Sequence, residues 1–187
     1  MRAAGEATRE RILAAAKAEF AEFGVAGARI NRIATAARAS KDRLYAYFPG
    51  KDELYAAVTE RWTAQTTAET ALAADDLPGY VGRLFDHFLA NPDNARLQAW
   101  ADLEPTTHAA VATVLKAAIA PKLAEIRRGQ AAGTVTTEFH PAALLRILTD
   151  LARTSATHAI QATSGPSRAA QREAIVLAAR RLVEPRP

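Results

Sequence analysis

Between residues 12 and 23 the apolar side chains fall at helical spacing, at Ile12, Leu13, Ala16, Phe20 and Phe23, and the run ends on Gly24, a residue suited to stop a helix. One amphipathic helix of this kind, expected from about Ala7 to Phe23, cannot bury its own stripe and must be covered by later segments of the chain. The cover comes in short pieces: Ile30, Ile33 and Ala37 on a second helix, Leu44 and Phe48 on a third, Leu54 and Val58 at the start of a fourth. Pro49 and Gly50 punctuate the end of the third helix. Lys51, Asp52 and Glu53 open the fourth, which should run to about Ala74, with the two acids where the positive end of the helix dipole favours them. The opening of the chain therefore predicts a small three-helix module with a connecting helix.

The rest also reads as helix. Segments from Arg9 to Ala26 and from Leu144 to Ala162 are crowded with Ala, Leu, Glu and Arg, while valine and isoleucine never alternate along a run, so the expected fold is all-α with about nine helices. Breaks at Leu77 to Gly79, Asn91 to Asp93, Glu104 to Pro105, Gly129 to Pro141 and Ser164 to Pro166 separate about five helices after the fourth. Their stripes are Tyr80, Leu84, Phe85 and Phe88; Val111, Val114, Leu115 and Ile119; and Leu144, Leu145, Leu148 and Leu151. Pro121 should kink or divide the helix that begins near Pro105. A chain of 187 residues fits two unequal units, 1–54 and 55–187.

The absence of cysteine removes disulfides and thiolate metal sites and suits a reducing compartment. No apolar run approaches the roughly 18 residues of a membrane span, and the polar start, Met1 to Glu10, lacks a signal-peptide core. A cytoplasmic protein without membrane partners is expected. The formal net charge of +4 is unevenly spread. Between Arg29 and Lys51 stand six cations (Arg29, Arg32, Arg38, Lys41, Arg43, Lys51) and one acid, Asp42, whereas the rest of the chain carries 18 cations and 19 acids. All the excess positive charge thus lies in one short segment. A solvated helix face and a nucleic-acid contact both fit a charge run taken alone.

The motif within that segment favours the second. Arg29 to Phe48 has the grammar of a helix-turn-helix, in which one short helix braces another that lies in the major groove. Ile33 and Ala34 face inward on the brace, where a small residue suits the close crossing, and Ser40 is placed to cap the third helix. The run Thr8, Arg9, Ile12, Leu13, Ala15, Ala16, Phe20, Phe23, Gly24, together with Ile30, Ile33, Ala34, Ala37, Ser40, Lys41, Leu44, Tyr45, Tyr47, Phe48, Lys51 and Leu54, resembles the DNA-binding domain of the TetR family of transcriptional regulators. The resemblance covers about the first 55 residues. Beyond them it extends only to the helical layout.

The resemblance implies a homodimeric repressor that binds double-stranded operator DNA and is released by a small-molecule effector, with no cofactor, metal or catalytic residue. Lys41 and Arg43 would reach base edges or phosphates, and arginine is the better bidentate partner for guanine. Tyr45 would pack on a thymine methyl or the sugar backbone. Tyr47 would offer its hydroxyl to a phosphate, or else pack partly in the core. Lys51 and the free N–H groups opening the fourth helix would hold a phosphate, and Arg29 would grip the backbone at the start of the second. Three residues depart from the family pattern. Ala28 and Arg29 replace the usual capping hydroxyls, and Arg38 replaces the turn glycine, leaving either a strained left-handed residue or a regularised turn. Asp42 stands where glycine is common; it suits the helix dipole and could accept from cytosine N4.

In the body, the last two long helices, about Pro141 to Ala162 and Arg168 to Val183, would by resemblance pair with their symmetry mates. The candidate faces are Leu144, Leu148, Leu151 and Ser155 on one, Ile175, Ala178, Ala179 and Leu182 on the other; the competing reading is that these stripes close the protomer's own core. Trp62, Phe85, Phe88, Trp100, Leu103 and His108 fall on helices that surround an effector cavity in the family, so a hydrophobic or amphipathic effector is expected. An enzyme is the rival from another class, yet the four histidines are dispersed and no nucleophile elbow or glycine-rich phosphate loop occurs. A non-catalytic helical adaptor is the other rival, distinguished by indifference to palindromic DNA.

Overall fold

The structure, a computed structural model, describes residues 2–104 and 109–185, with side chains from Gly5 onward. Among the described residues there are nine α-helices and no strand: α1 (Arg2–Gly27), α2 (Ile30–Ala36), α3 (Lys41–Tyr47), α4 (Lys51–Glu69), α5 (Leu77–Ala90), α6 (Pro92–Leu103), α7 (Ala109–Ala131), α8 (Pro141–Gln161) and α9 (Arg168–Val183), with a 3-10 turn at Ala74–Asp76. Among the described residues no helix is long and apolar enough to cross a membrane.

Two compact units emerge, and neither is a consecutive stretch of chain. The described residues of 2–63 and 96–116 form the first, and those of 64–95 and 117–185 the second. The first unit is built on the α1 stripe: Ile12, Leu13, Ala16 and Phe20 are buried against Ile33 and Ala34 of α2, its C-cap Ala37, Leu44 of α3, Phe48, and Leu54, Tyr55, Val58 and Trp62 of α4. Leu97 and Val111 complete that core. Phe20 meets Tyr55 edge to face at 5.0 Å, the geometry that aromatic quadrupoles prefer.

The second unit centres on α5, which packs on both α8 and α9. Tyr80, Val81, Leu84, Phe85 and Phe88 bury one face of it against Leu144, Leu145, Leu148, Ala152 and Ala156 of α8 and Ile175, Ala179 and Val183 of α9. Gly82 lets α9 come close, since a Cβ there would lie 2.8 Å from an Arg172 nitrogen and 3.1 Å from Val176. One expected break proves helical, and the helix around Pro121 is not divided. Leu77 to Gly79 form the first turn of α5, where Pro78 is tolerated and the Asp76 carboxylate accepts from the Gly79 N–H, while α7 runs through Pro121.

Candidate nucleic-acid interface

The reader is assembled on α1. Gly24 breaks the helical dihedrals with φ 67°, a conformation that costs other residues energy, and its missing side chain makes room: a Cβ would stand 2.8 Å from Trp100 Cε3 and 2.9 Å from Glu104 Oε1. Both neighbours are also tied to α1. The Trp100 indole N–H donates to the Ala21 carbonyl at 3.1 Å, and Glu104 accepts from the Val25 N–H at 2.8 Å. The backbone groups around the break are therefore partnered.

Arg29 is the N-cap of α2 and makes no side-chain cap bond, as expected from the missing hydroxyl. In its stead a carboxylate arrives from α1. Buried Glu19 accepts from the Arg29 backbone N–H at 2.8 Å and from Arg32 Nε at 2.7 Å, and Arg32 further donates to the Gly27 carbonyl and stacks over the Phe23 ring at 4.1 Å. The Arg29 side chain itself is exposed.

The turn between α2 and α3 keeps the left-handed residue, with Arg38 at φ 51°. Its N–H donates to Thr35 O at 3.1 Å and the Ala39 N–H donates to Ala34 O at 3.0 Å, the paired bonds of a Schellman motif with arginine in the position glycine usually holds. Ser40 then caps α3, its hydroxyl accepting from the Arg43 N–H at 3.1 Å. Leu44 is the buried anchor of this seven-residue helix. Lys41, Asp42, Arg43 and Tyr45 all face solvent, so α3 presents two cations, one acid and one ring on a surface held rigid from beneath.

Two of the candidate groups are engaged within the first unit, and Tyr47 packs partly against its core, the second of the two readings given for it. The Tyr47 hydroxyl donates to the Gly5 carbonyl at 2.9 Å, which fixes the start of α1 and occupies the group expected to meet a phosphate. The Lys51 ammonium donates to Val25 O at 2.7 Å and to Ala28 O at 3.5 Å, acting as a cationic cap on the end of α1. The Glu53 carboxylate meanwhile lies against Gly50, placing the chain's own anion at the start of α4. Sequence reasoning missed Glu19 and Glu104.

The residues expected to line an effector cavity are distributed over both units. Trp62 lies in the core of the first unit, Trp100 is bound to α1, and Leu103 is 71% exposed; Phe85 and Phe88 lie in the core of the second unit. His108 falls outside the described residues. In the same second unit stands a polar cluster that the sequence did not announce. His87 is buried, with Nδ1 2.7 Å from Glu69 Oε2 and Nε2 3.1 Å from the Thr66 hydroxyl and 2.9 Å from Asn94 Nδ2. Asn94 is fully buried too, and its Oδ1 has no hydrogen-bond partner. Among the described residues no group of three potential metal ligands occurs.

The helix faces expected to pair between protomers include both core and surface positions. Leu144, Leu148, Ile175 and Ala179 are buried in the protomer's own core, because the strongest stripes of α8 and α9 both turn toward α5. Leu151 and Leu182 are half-buried against that core, Ser155 is half-buried, and Ala178 is exposed. The outward side of α9 carries Ala174, Leu177, Ala178 and Arg181.

Known proteins resemble the chain along most of its length. Residues 12–58 match the family described as bacterial regulatory proteins, tetR family, and residues 76–181 match the tetracyclin repressor-like C-terminal domain. The chain is 39% identical over 148 residues to the HTH-type transcriptional repressor SCO4008 of Streptomyces coelicolor, a match covering 79% of this chain and 77% of that protein. The crystal structure of the transcriptional regulator SCO4942 from the same organism superposes with a TM-score of 0.77 at 44% identity, over 94% of this chain and 98% of that one. A regulator from Marinobacter aquaeolei shares the fold with a TM-score of 0.83 over the whole of both chains, at 20% identity.

Proposed function

The chain belongs to the TetR family of bacterial regulatory proteins, whose members are regulators rather than enzymes, and from that premise we propose that it is a homodimeric repressor that binds a palindromic operator and is released by a hydrophobic or amphipathic small molecule. The observation that carries the operator reading is the exposed face of α3, where Lys41, Arg43 and Tyr45 stand on a helix capped by Ser40 and anchored by Leu44. Arg43 and Lys41 read base edges or phosphates, Tyr45 packs on a methyl or sugar, and Arg29 holds the backbone beside them. A twofold partner places the second copy about 34 Å away, one turn of the duplex.

The pairing surface we assign is the outward side of α8 and α9, centred on Leu177, Ala174 and Ala178 with the rims of Leu151, Ser155 and Leu182, since the inward side is already filled. Support for an amphipathic effector comes from the second unit, where His87 and Asn94 are buried and the Asn94 acceptor lacks a donor. Binding that favours a different spacing of the two readers would release the operator by population shift. Selection of bound fragments from genomic DNA tests the operator reading; replacing Lys41 and Tyr45 together by alanine should abolish the enrichment. If thermal-shift screening of lipophilic compounds yields binders and none weakens operator retention, the inducible part is wrong.

A further inference from the structure

We propose that Glu19 is a positioning residue for operator discrimination: from inside α1 it fixes the start of α2 and at the same time keeps Arg32 away from the phosphate backbone. This inference rests on the operator reading above. A carboxylate held at 9% exposure must be well paired to be tolerated, and this one is. Its Oε1 accepts from the Arg29 N–H at 2.8 Å and from Arg32 Nε at 2.7 Å, and lies 2.5 Å from an Arg32 terminal nitrogen in an ion pair. The same guanidinium donates to Gly27 O at 3.0 Å and covers the Phe23 ring. One buried acid and one arginine thus tie the body of α1, its last carbonyl turn and the first turn of α2 into a single joint.

The joint acts in two ways. Geometrically, α2 has no cap from its own sequence and takes its orientation from α1 through Glu19; the α2–α3 turn and the face of α3 inherit that orientation. Electrostatically, the joint controls Arg32. An arginine in the first turn of α2, close to exposed Arg29, would bind phosphate on any duplex and raise affinity without regard to sequence. Paired with Glu19 it carries no net charge outward, so binding depends more on the groups of α3 that meet base edges.

The test uses the full chain, a selected operator duplex and a scrambled duplex of equal length, with anisotropy titrations over a salt series and circular dichroism to confirm folding. Glu19→Gln keeps an acceptor for the Arg29 N–H and discharges the pair, so it should tighten scrambled-DNA binding and steepen the log–log salt dependence by about 0.9 per released arginine, roughly 1.8 per dimer. Adding Arg32→Ala should return the slope to the wild-type value, and Arg32→Ala alone should leave it there. A purely structural Glu19 would not produce that reversal. Glu19→Leu, which removes the acceptor as well, should lower the operator-to-scrambled affinity ratio by about tenfold. Should Glu19→Leu fail to fold, the salt slopes of the glutamine variants decide the matter. If the wild-type chain prefers its operator and the Glu19 variants change neither slope nor ratio, this inference is overturned and the operator reading stands; a wild-type chain without any operator preference overturns both.

Discussion

Replacing Arg38 by glycine separates the stability of the reader from its affinity for DNA. Arg38 sits at φ 51° in the turn between α2 and α3, with its N–H bonded to Thr35 O and the next N–H to Ala34 O, so the backbone geometry is held by the Schellman bonds and not by the side chain. An L-residue in this region carries a penalty of about 1–2 kcal/mol that glycine does not. Glycine in turn loses more freedom on folding, worth about 0.4–1 kcal/mol. The net expectation is a gain of roughly 0.5–1 kcal/mol, and a chain of this size should melt about 2–4 °C higher per kcal/mol. DNA affinity should move the other way, because the variant loses an exposed cation two residues before the cap of α3. Arg38→Lys retains both the charge and the strain and should match the wild type in both assays. The measurements are urea midpoints at constant protein concentration and anisotropy against a salt series. A glycine variant with a lowered midpoint at unchanged m-value would refute the strain argument.

Gly24→Ala should destabilise the first unit by about 2–4 kcal/mol, read as a lowered urea midpoint, because it combines a positive φ with a Cβ pressed against Trp100 and Glu104. Tyr47→Phe should cost about 1 kcal/mol of stability through the lost bond to Gly5 and leave the salt slope of DNA binding where it was. Burial pushes the Tyr80 phenol up to about 12 from 10.0, so the folded state keeps a proton that the unfolded chain releases; stability should fall between pH 10 and 12 by about 2 kcal/mol, and Tyr80→Phe should flatten that decline in pH-dependent denaturation.

How far the sequence alone reveals these features depends on how local each determinant is. The α1 stripe, the Ser40 cap and the Leu44 anchor arise from spacings within a turn or two, and the structure places them as periodicity demands. Pro78 and Gly79 resemble a break because proline and glycine disfavour helix interiors, but Asp76 makes them a first turn, where the missing N–H of proline costs nothing. The roles of Lys51 and Tyr47 escape sequence reasoning because their partners, Val25, Ala28 and Gly5, lie 23 to 42 residues away, beyond any pattern of spacing. Glu19 leaves a readable trace: it falls three residues after Ala16 and four before Phe23, an acid inside an apolar stripe, which only a buried partner can make tolerable. The register of α8 and α9 cannot be read in the same way. Two apolar faces compete on each helix, and only the position of α5 decides which is filled within the protomer.

Counting charge along the chain overstates what the reader can offer DNA. Of the six cations between Arg29 and Lys51, Arg32 is paired with Glu19 and the Lys51 ammonium is engaged by the carbonyls of Val25 and Ala28, which leaves exposed Arg29, Arg38, Lys41 and Arg43 beside Asp42. If each of the four met a phosphate, this segment of a dimer would contribute a salt slope no steeper than about −7. Single replacements sort the groups further. Arg38→Ala or Lys41→Ala should make the slope shallower by up to about 1.8 per dimer where the group contacts phosphate. Lys51→Met should leave the slope unchanged and lower stability by about 1–2 kcal/mol through the uncapped carbonyls. A slope change for Lys51→Met equal to that for Lys41→Ala, with stability intact, would mean that the ammonium leaves Val25 when DNA binds and that the cap on α1 is exchanged for a phosphate.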